Sequence, residues 1–310
     1  MSLTYTFQNI YQEVSNFLGL GLNPSGVNLT LVKKYANEGY RRFILGLDPR
    51  TGLTHEWSFL SPINTLVAYS SGFTSAGTGT YSLPSTTIVL TSTVYNSMRL
   101  KYLTAGGTAY QIISVVEPHT LVVTGDCHTQ TSFTLPDPGG KYTLPSDFGG
   151  IMMPFNFRGL PYSALKERTT AEIMQLASYT QASGLPSEFS VEIISGNDYE
   201  VQMFPKAAGD WTFDYRYRVE PSSLINDTDV PLGGYYHSST ILASALAIAQ
   251  LRHDDSTSIH QAEYEKLMIA SINLDLKYKT SNIGYNRDNS IAPAGPFNRR
   301  IPYSASNIDN

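Results

Sequence analysis

Apolar residues recur at helical spacing in four stretches, two near each end of the chain. Phe7, Ile10, Tyr11, Val14, Phe17 and Leu18 fall on one face of a helix. Leu31, Val32, Tyr35, Ala36, Tyr40, Phe43, Ile44 and Leu47 form a second stripe. Ile241, Leu242, Ala245, Leu246, Ile248 and Ala249 form a third; Ile259, Leu267, Met268, Ser271, Ile272, Leu274 and Tyr278 form a less regular fourth. Short connectors predict that each pair folds back as an antiparallel hairpin. Each stripe must be covered, and the nearest cover for one hairpin is the other. The expected fold class is therefore α+β: an antiparallel helical bundle made by hairpins at 1–60 and 235–281, with the middle of the chain carried as an insertion.

Local signals set the expected limits of these elements. Thr4 or Thr6 can cap the first helix, and Gly19, Gly21, Asn23, Pro24 and Gly26 break it. Thr30 is the expected cap of the second, which a turn at Asp48-Pro49-Arg50-Thr51-Gly52 stops. Trp57 and Phe59 follow in a stretch expected to pack on the helix pair.

Between residues 61 and 141 the helical period vanishes. β-rich runs at Thr65–Tyr69, Thr86–Thr91, Ala109–Val116 and His119–Thr124 predict an inserted small all-β domain, barrel or sandwich. The glycine-rich Ser70–Thr80 reads as a loop. Over 142–234 the pattern gives a short helix at Ser163–Tyr179. A three-strand β-meander follows at Glu188–Ile194, Glu200–Phe204 and Trp211–Val219, the last in clear period-two alternation. From 282 to 310 periodicity ends, and an extended C-terminal arm is expected.

Charged residues make up only 15% of the 310, the net charge is −5, and there are 21 Tyr. An acidic balance argues against a general nucleic-acid coat. Tyrosine, apolar on its face and polar at its tip, suits partly wet contact surfaces. The single Cys127 has no disulfide partner within the chain. No apolar run is long enough to span a membrane. The first apolar stretch, interrupted by Gln8, Asn9, Gln12 and Glu13, does not read as a signal peptide.

Three constellations hold residue types capable of chemistry. His119, Cys127 and His128 lack a fourth ligand at zinc spacing, so no metal and no cofactor is expected. His253-Asp254-Asp255 with His260, Glu263 and Glu265 sits where a helix junction would be polar anyway. No G-x-S-x-G, Walker A or H-E-x-x-H motif occurs. Lys33, Lys34, Arg41 and Arg42 form a basic set on the second helix, either a solvated face or a contact for an acidic neighbour or DNA.

The order of parts resembles the head-to-tail connector family of tailed bacteriophages. The resemblance rests on Lys34-Tyr35-Ala36-Asn37-Glu38-Gly39-Tyr40-Arg41-Arg42, Glu56-Trp57-Ser58-Phe59-Leu60, Leu144-Pro145-Ser146-Asp147-Phe148, Tyr215-Arg216-Tyr217-Arg218 and Asp227-Thr228-Asp229-Val230-Pro231. It covers residues 4–280. It implies a non-enzymatic virion neck protein, assembled in the host cytoplasm, that forms a ring (usually dodecameric in that family) beneath the portal protein. Implied partners are the portal, neighbouring copies, downstream neck or tail proteins, and double-stranded DNA passing without sequence-specific binding; no membrane is involved. Arg41 and Arg42 are the expected ring contacts, and the arm residues Arg287, Phe297, Arg299, Arg300 and Tyr303 the expected docking contacts. Ordering the arm costs about 30 kcal/mol of backbone entropy against about 10–20 kcal/mol from burying its large apolar side chains, so it needs a partner. The rival readings are a carbohydrate- or receptor-binding tail module and a virion-associated polysaccharide hydrolase.

Overall fold

Thr6 closes a capping box with Asn9 and starts α1 (Phe7–Phe17), whose Phe7, Ile10, Tyr11 and Val14 are buried. The computed structural model describes residues 4–135, 137–180, 182–254 and 259–278. Helix α2 (Gly26–Leu45) begins after Ser25, a turn before the expected Thr30, and ends on left-handed Gly46 rather than at the Asp48–Gly52 turn. A Cβ on Gly46 would lie 2.6 Å from the His55 carbonyl, so the chain can turn there only without a side chain.

Next come β1 (Ile63–Ala68), β2 (Phe73–Ser82), β3 (Ser85–Leu90), β4 (Tyr102–Ala105), β5 (Thr108–Val116), β6 (Thr120–Thr124) and β7 (Ser132–Leu135). They are followed by β8 (Lys141–Thr143), β9 (Phe148–Phe157), β10 (Lys166–Glu167), α3 (Thr170–Tyr179) and β11 (Ser183–Gly184). The described chain closes with β12 (Glu188–Ser195), β13 (Asp198–Phe204), β14 (Lys206–Ala207), β15 (Trp211–Val219), α4 (Gly234–Asp254) and α5 (Ile259–Tyr278).

This architecture corrects the expected fold class. The molecule is mostly β, with 15 strands against five α-helices among the described residues, and a helical bundle does not dominate it. Periodicity located the helices but overweighted them, because one long amphipathic stripe is easier to read than many short, two-sided strands.

Strands β2-β3-β6-β5-β4-β7 close into a six-stranded barrel. Its interior takes alternate residues: Ile88 and Leu90 from β3, Leu103 and Ala105 from β4, Leu121 and Val123 from β6, Phe133 and Leu135 from β7. The stretch read as a glycine-rich loop is mostly β2. A Cβ on Gly77 would sit 2.7 Å from the Val89 carbonyl, and one on Gly79 would sit 2.8 Å from the His128 Cα. These glycines let neighbouring backbone approach the strand; they do not interrupt it.

The barrel spans Phe73–Leu135, less than the expected 61–141. β1 and β8 belong outside it: β1 pairs with β15 and β8 with β13. The expected meander also divides. β12 and β13 form a hairpin in the sheet β10-β12-β13-β8, whereas β15 lies between β1 and β9 in a second sheet. An aromatic contact joins the two sheets, with Phe155 of β9 4.9 Å from Phe189 of β12 between ring centroids. The helix expected at 163–179 starts only at Thr170, where Thr169 and Glu172 close a capping box.

A polar clamp ties the barrel to this base. Lys101 and Lys141 both bond to Glu200, which is buried, and Arg99 bonds to Asp198 and to the Leu144 carbonyl. Where the chain enters and leaves the barrel, the Tyr142 hydroxyl donates to the Tyr69 carbonyl at 3.0 Å.

Candidate assembly surface

Helix α2 buries Val32, Ala36, Gly39, Tyr40 and Phe43, and this stripe fixes which side chains point out. Its closest neighbour is α4, where the Ser244 hydroxyl donates to the Gly39 carbonyl at 2.8 Å. The outward face carries Lys34 and Arg41, both exposed and seven positions apart, hence on one side of the helix. With Asn37, Ile44 and the segment Glu220–Ser223 they line a groove of about 520 Å³.

The structure separates the four basic residues of α2. Lys33 bonds to Asp227 at 2.8 Å and stands 5.1 Å above the Tyr11 ring. That bond holds the Asp227 carboxyl below its ordinary range. Lys34 lies 3.9 Å from Glu38 across one helical turn, a pair too exposed to contribute much. The Arg42 guanidinium stacks on Tyr264 of α5 with 4.5 Å to the ring centroid. Burial pushes the Tyr264 phenol up, so it remains neutral beneath the cation. Arg41 makes no ion pair with any described residue. Arg41 and Arg42, grouped by sequence, therefore differ: one is open to a partner, and the other fastens α2 to α5.

The segment after β15 also lines a second groove, of about 490 Å³. Tyr40 and Tyr217, both buried, lie along it with Phe59, Val219, Leu224 and Leu232, and the acids Asp147, Glu220 and Asp229 stand around them. The Tyr217 hydroxyl donates to Asp147 at 3.0 Å. The backbone amides of Ile225 and Asn226 donate to Asp229 and hold its carboxyl below the usual range. Among the described residues, no Lys or Arg lines this groove.

One polar cluster escaped the sequence reading. Asp275 on α5 accepts from the Ser58 hydroxyl at 2.5 Å and meets His55 Nε2 at 2.7 Å. Burial alone would raise the Asp275 carboxyl, but these bonds outweigh it and hold the group below its ordinary range. Serine, histidine and aspartate meet here, yet serine and histidine bond to opposite oxygens of the carboxylate rather than to each other. No nucleophile–base contact results, and the cluster fastens α5 to the Trp57 segment. Residues 217 or more positions apart carry no sequence signal of such a contact.

The histidines singled out by sequence are dispersed. His119 Nδ1 faces the Ser92 carbonyl, His128 pairs with Asp126, and Cys127 is buried with its thiol pushed up by that burial. His260 packs edge-on to Phe17 at 4.9 Å. Among the described residues, no group of three or more His, Cys, Asp or Glu side chains could hold a metal ion, and no helix is long and apolar enough to cross a membrane. Asp255 and the arm residues Arg287, Phe297, Arg299, Arg300 and Tyr303 lie outside the described residues. Neither protein-family models nor curated proteins give a match to the chain.

Proposed function

We propose that this chain is a ring-forming structural protein of a phage neck, joining portal to tail parts and leaving a channel for the genome. The observation that carries the reading is the outer face of α2. Arg41 has no ion pair among the described residues, and it lines a groove walled by a segment more than 170 residues away in sequence. A rigid cationic position on a packed helix, set beside an open concavity, suits docking to another protein surface. The net charge of −5 suits a channel wall that DNA passes without adhering. The family resemblance supplies the portal as the partner above the ring.

Mass photometry of the purified chain, alone and mixed with portal protein, tests the reading. Closed rings, or one ring mass added per portal, are expected. A chain that stays monomeric and leaves the portal mass unchanged would overturn it.

A second reading makes the barrel a binding module. It is favoured by Leu83, 82% exposed at the β2–β3 turn, an apolar side chain held at the end of a rigid hairpin. A barrel partner and a ring are compatible. Replacing Leu83 with Asp would abolish barrel binding and leave ring mass unchanged.

A further inference from the structure

We propose that the second groove receives the Phe297–Tyr303 segment of a neighbouring copy of this chain. The proposal rests on the ring reading above and names the contact that would link one copy to the next.

The groove has an apolar floor and an acidic surround. Phe59, Val219 and Leu232 line it beside Asp147, Glu220 and Asp229, with no cation among the described lining residues. Leu232 is 38% exposed and Val230 50%, so apolar surface stands open at this edge. Glu220 is exposed and has no ion pair among the described residues. The site calls for a segment that alternates large apolar side chains with cations. Phe297-Asn298-Arg299-Arg300-Ile301-Pro302-Tyr303 has that composition, and no Asp or Glu occurs between Asp288 and Asp309. Residues 279–310 hold four Lys or Arg against two Asp, in a chain whose net charge is −5. A groove of about 490 Å³ holds a few side chains, not a whole arm, which matches a motif this short.

Position allows a neighbour to be the donor. Asp275 is bonded to Ser58, and the next residue, Phe59, lines the groove, so α5 ends close to its own groove. The 18 residues from 279 to 296 reach up to about 60 Å. A compact chain of this length has a radius of gyration of about 20 Å, so the groove of an adjacent copy is within range. A segment seated in the next copy's groove is a head-to-tail contact, the kind that closes into rings.

Two full-length variants test this, Tyr303→Cys and Ser223→Cys, mixed under a mild oxidant with peptide mapping of the disulfides. A 303–223 bond between chains is expected. Glu220→Lys in the groove chain should lower its yield about fivefold or more, and Arg299→Glu with Arg300→Glu in the donor should restore it. No 303–223 bond while mass photometry still shows rings overturns the contact and leaves the ring reading standing. A yield indifferent to the charge reversal also overturns the contact. So does a bond that, in a doubly substituted chain diluted into unsubstituted protein, persists within single chains. Bonded pairs that never close into rings support the contact and count against the ring.

Discussion

Gly39 of α2 lies against the backbone of Ala245 of α4: a Cβ on Gly39 would stand 2.4 Å from the Ala245 Cα and 2.5 Å from its nitrogen. The two helices meet at a distance that only hydrogen on the first permits. Gly39→Ala is expected to destabilise the protein by about 3 kcal/mol or more, at the upper end of overpacking, because backbone rather than a movable side chain blocks the methyl. Ala245→Gly should not rescue it, since the clash is with Cα and N. Urea midpoints of the single and double variants check this; recovery in the double variant would mean that the helices separate freely.

The barrel is expected to be removable, but only between the correct ends. Replacing residues 72–136 with a short glycine linker should leave a base that melts cooperatively, because Tyr69 and Tyr142 already lie side by side, 5.6 Å between ring centroids. Glu200 keeps Lys141 when Lys101 goes, but Asp198 and the Leu144 carbonyl lose Arg99, so the loss in the base should be about 2–4 kcal/mol. Deleting 61–141 instead removes all of β1 from one base sheet and Lys141, the first residue of β8, from the other, and that chain should fail to melt cooperatively. Thermal unfolding followed by circular dichroism distinguishes the two.

What the sequence disclosed follows the range of each signal. Phe7, Ile10, Tyr11 and Val14 announced α1 because 3.6-residue spacing is local, and Trp211–Val219 announced β15 through its alternation. The partner of a strand is not local. Nothing in Trp211–Val219 says that it pairs with Ile63–Ala68 rather than with the hairpin just before it. Gly77 and Gly79 looked like loop residues because close backbone approach leaves the same sequence mark as a turn. At the candidate surface Arg41 and Arg42 were identified together; only packing shows that Tyr264 holds one of them. Asp275 was missed altogether.

That difference gives separate expectations for the two arginines. Arg41→Glu should leave the urea midpoint within about 0.5 kcal/mol of the parent, as exposed substitutions do, while weakening assembly about tenfold. Arg42→Glu should lower stability by about 1–2 kcal/mol, since it removes a cation from a ring face and places an anion there. Equal loss of stability in both variants would show that Arg41 has a partner within the chain.

Acid should weaken the junction where α2, α4 and the Trp57 segment meet. His237 of α4 is buried among Phe43, Trp57 and Phe59, with ring centroids 5.6, 5.2 and 5.6 Å away. Its Nδ1 has no hydrogen-bond partner among the described residues. Burial lowers its pKa; the attraction of Asp275 opposes this, and the proximity of His55 adds to it. A histidine whose folded pKa is depressed contributes its full stability above the unfolded value of about 6.5. Below that, the unfolded chain binds a proton that the native state refuses, and stability falls by at most about 1.4 kcal/mol per pH unit. Asp275, also depressed in the native state, keeps its contribution down to about pH 4 and loses it only below. Between pH 6.5 and 5 the decline should therefore include His237 and not Asp275. His237→Phe keeps an aromatic ring in the cage and removes the titration, so its melting temperature should fall less between pH 7 and pH 5 than the parent's. Parallel curves for parent and variant would exclude His237 as the source.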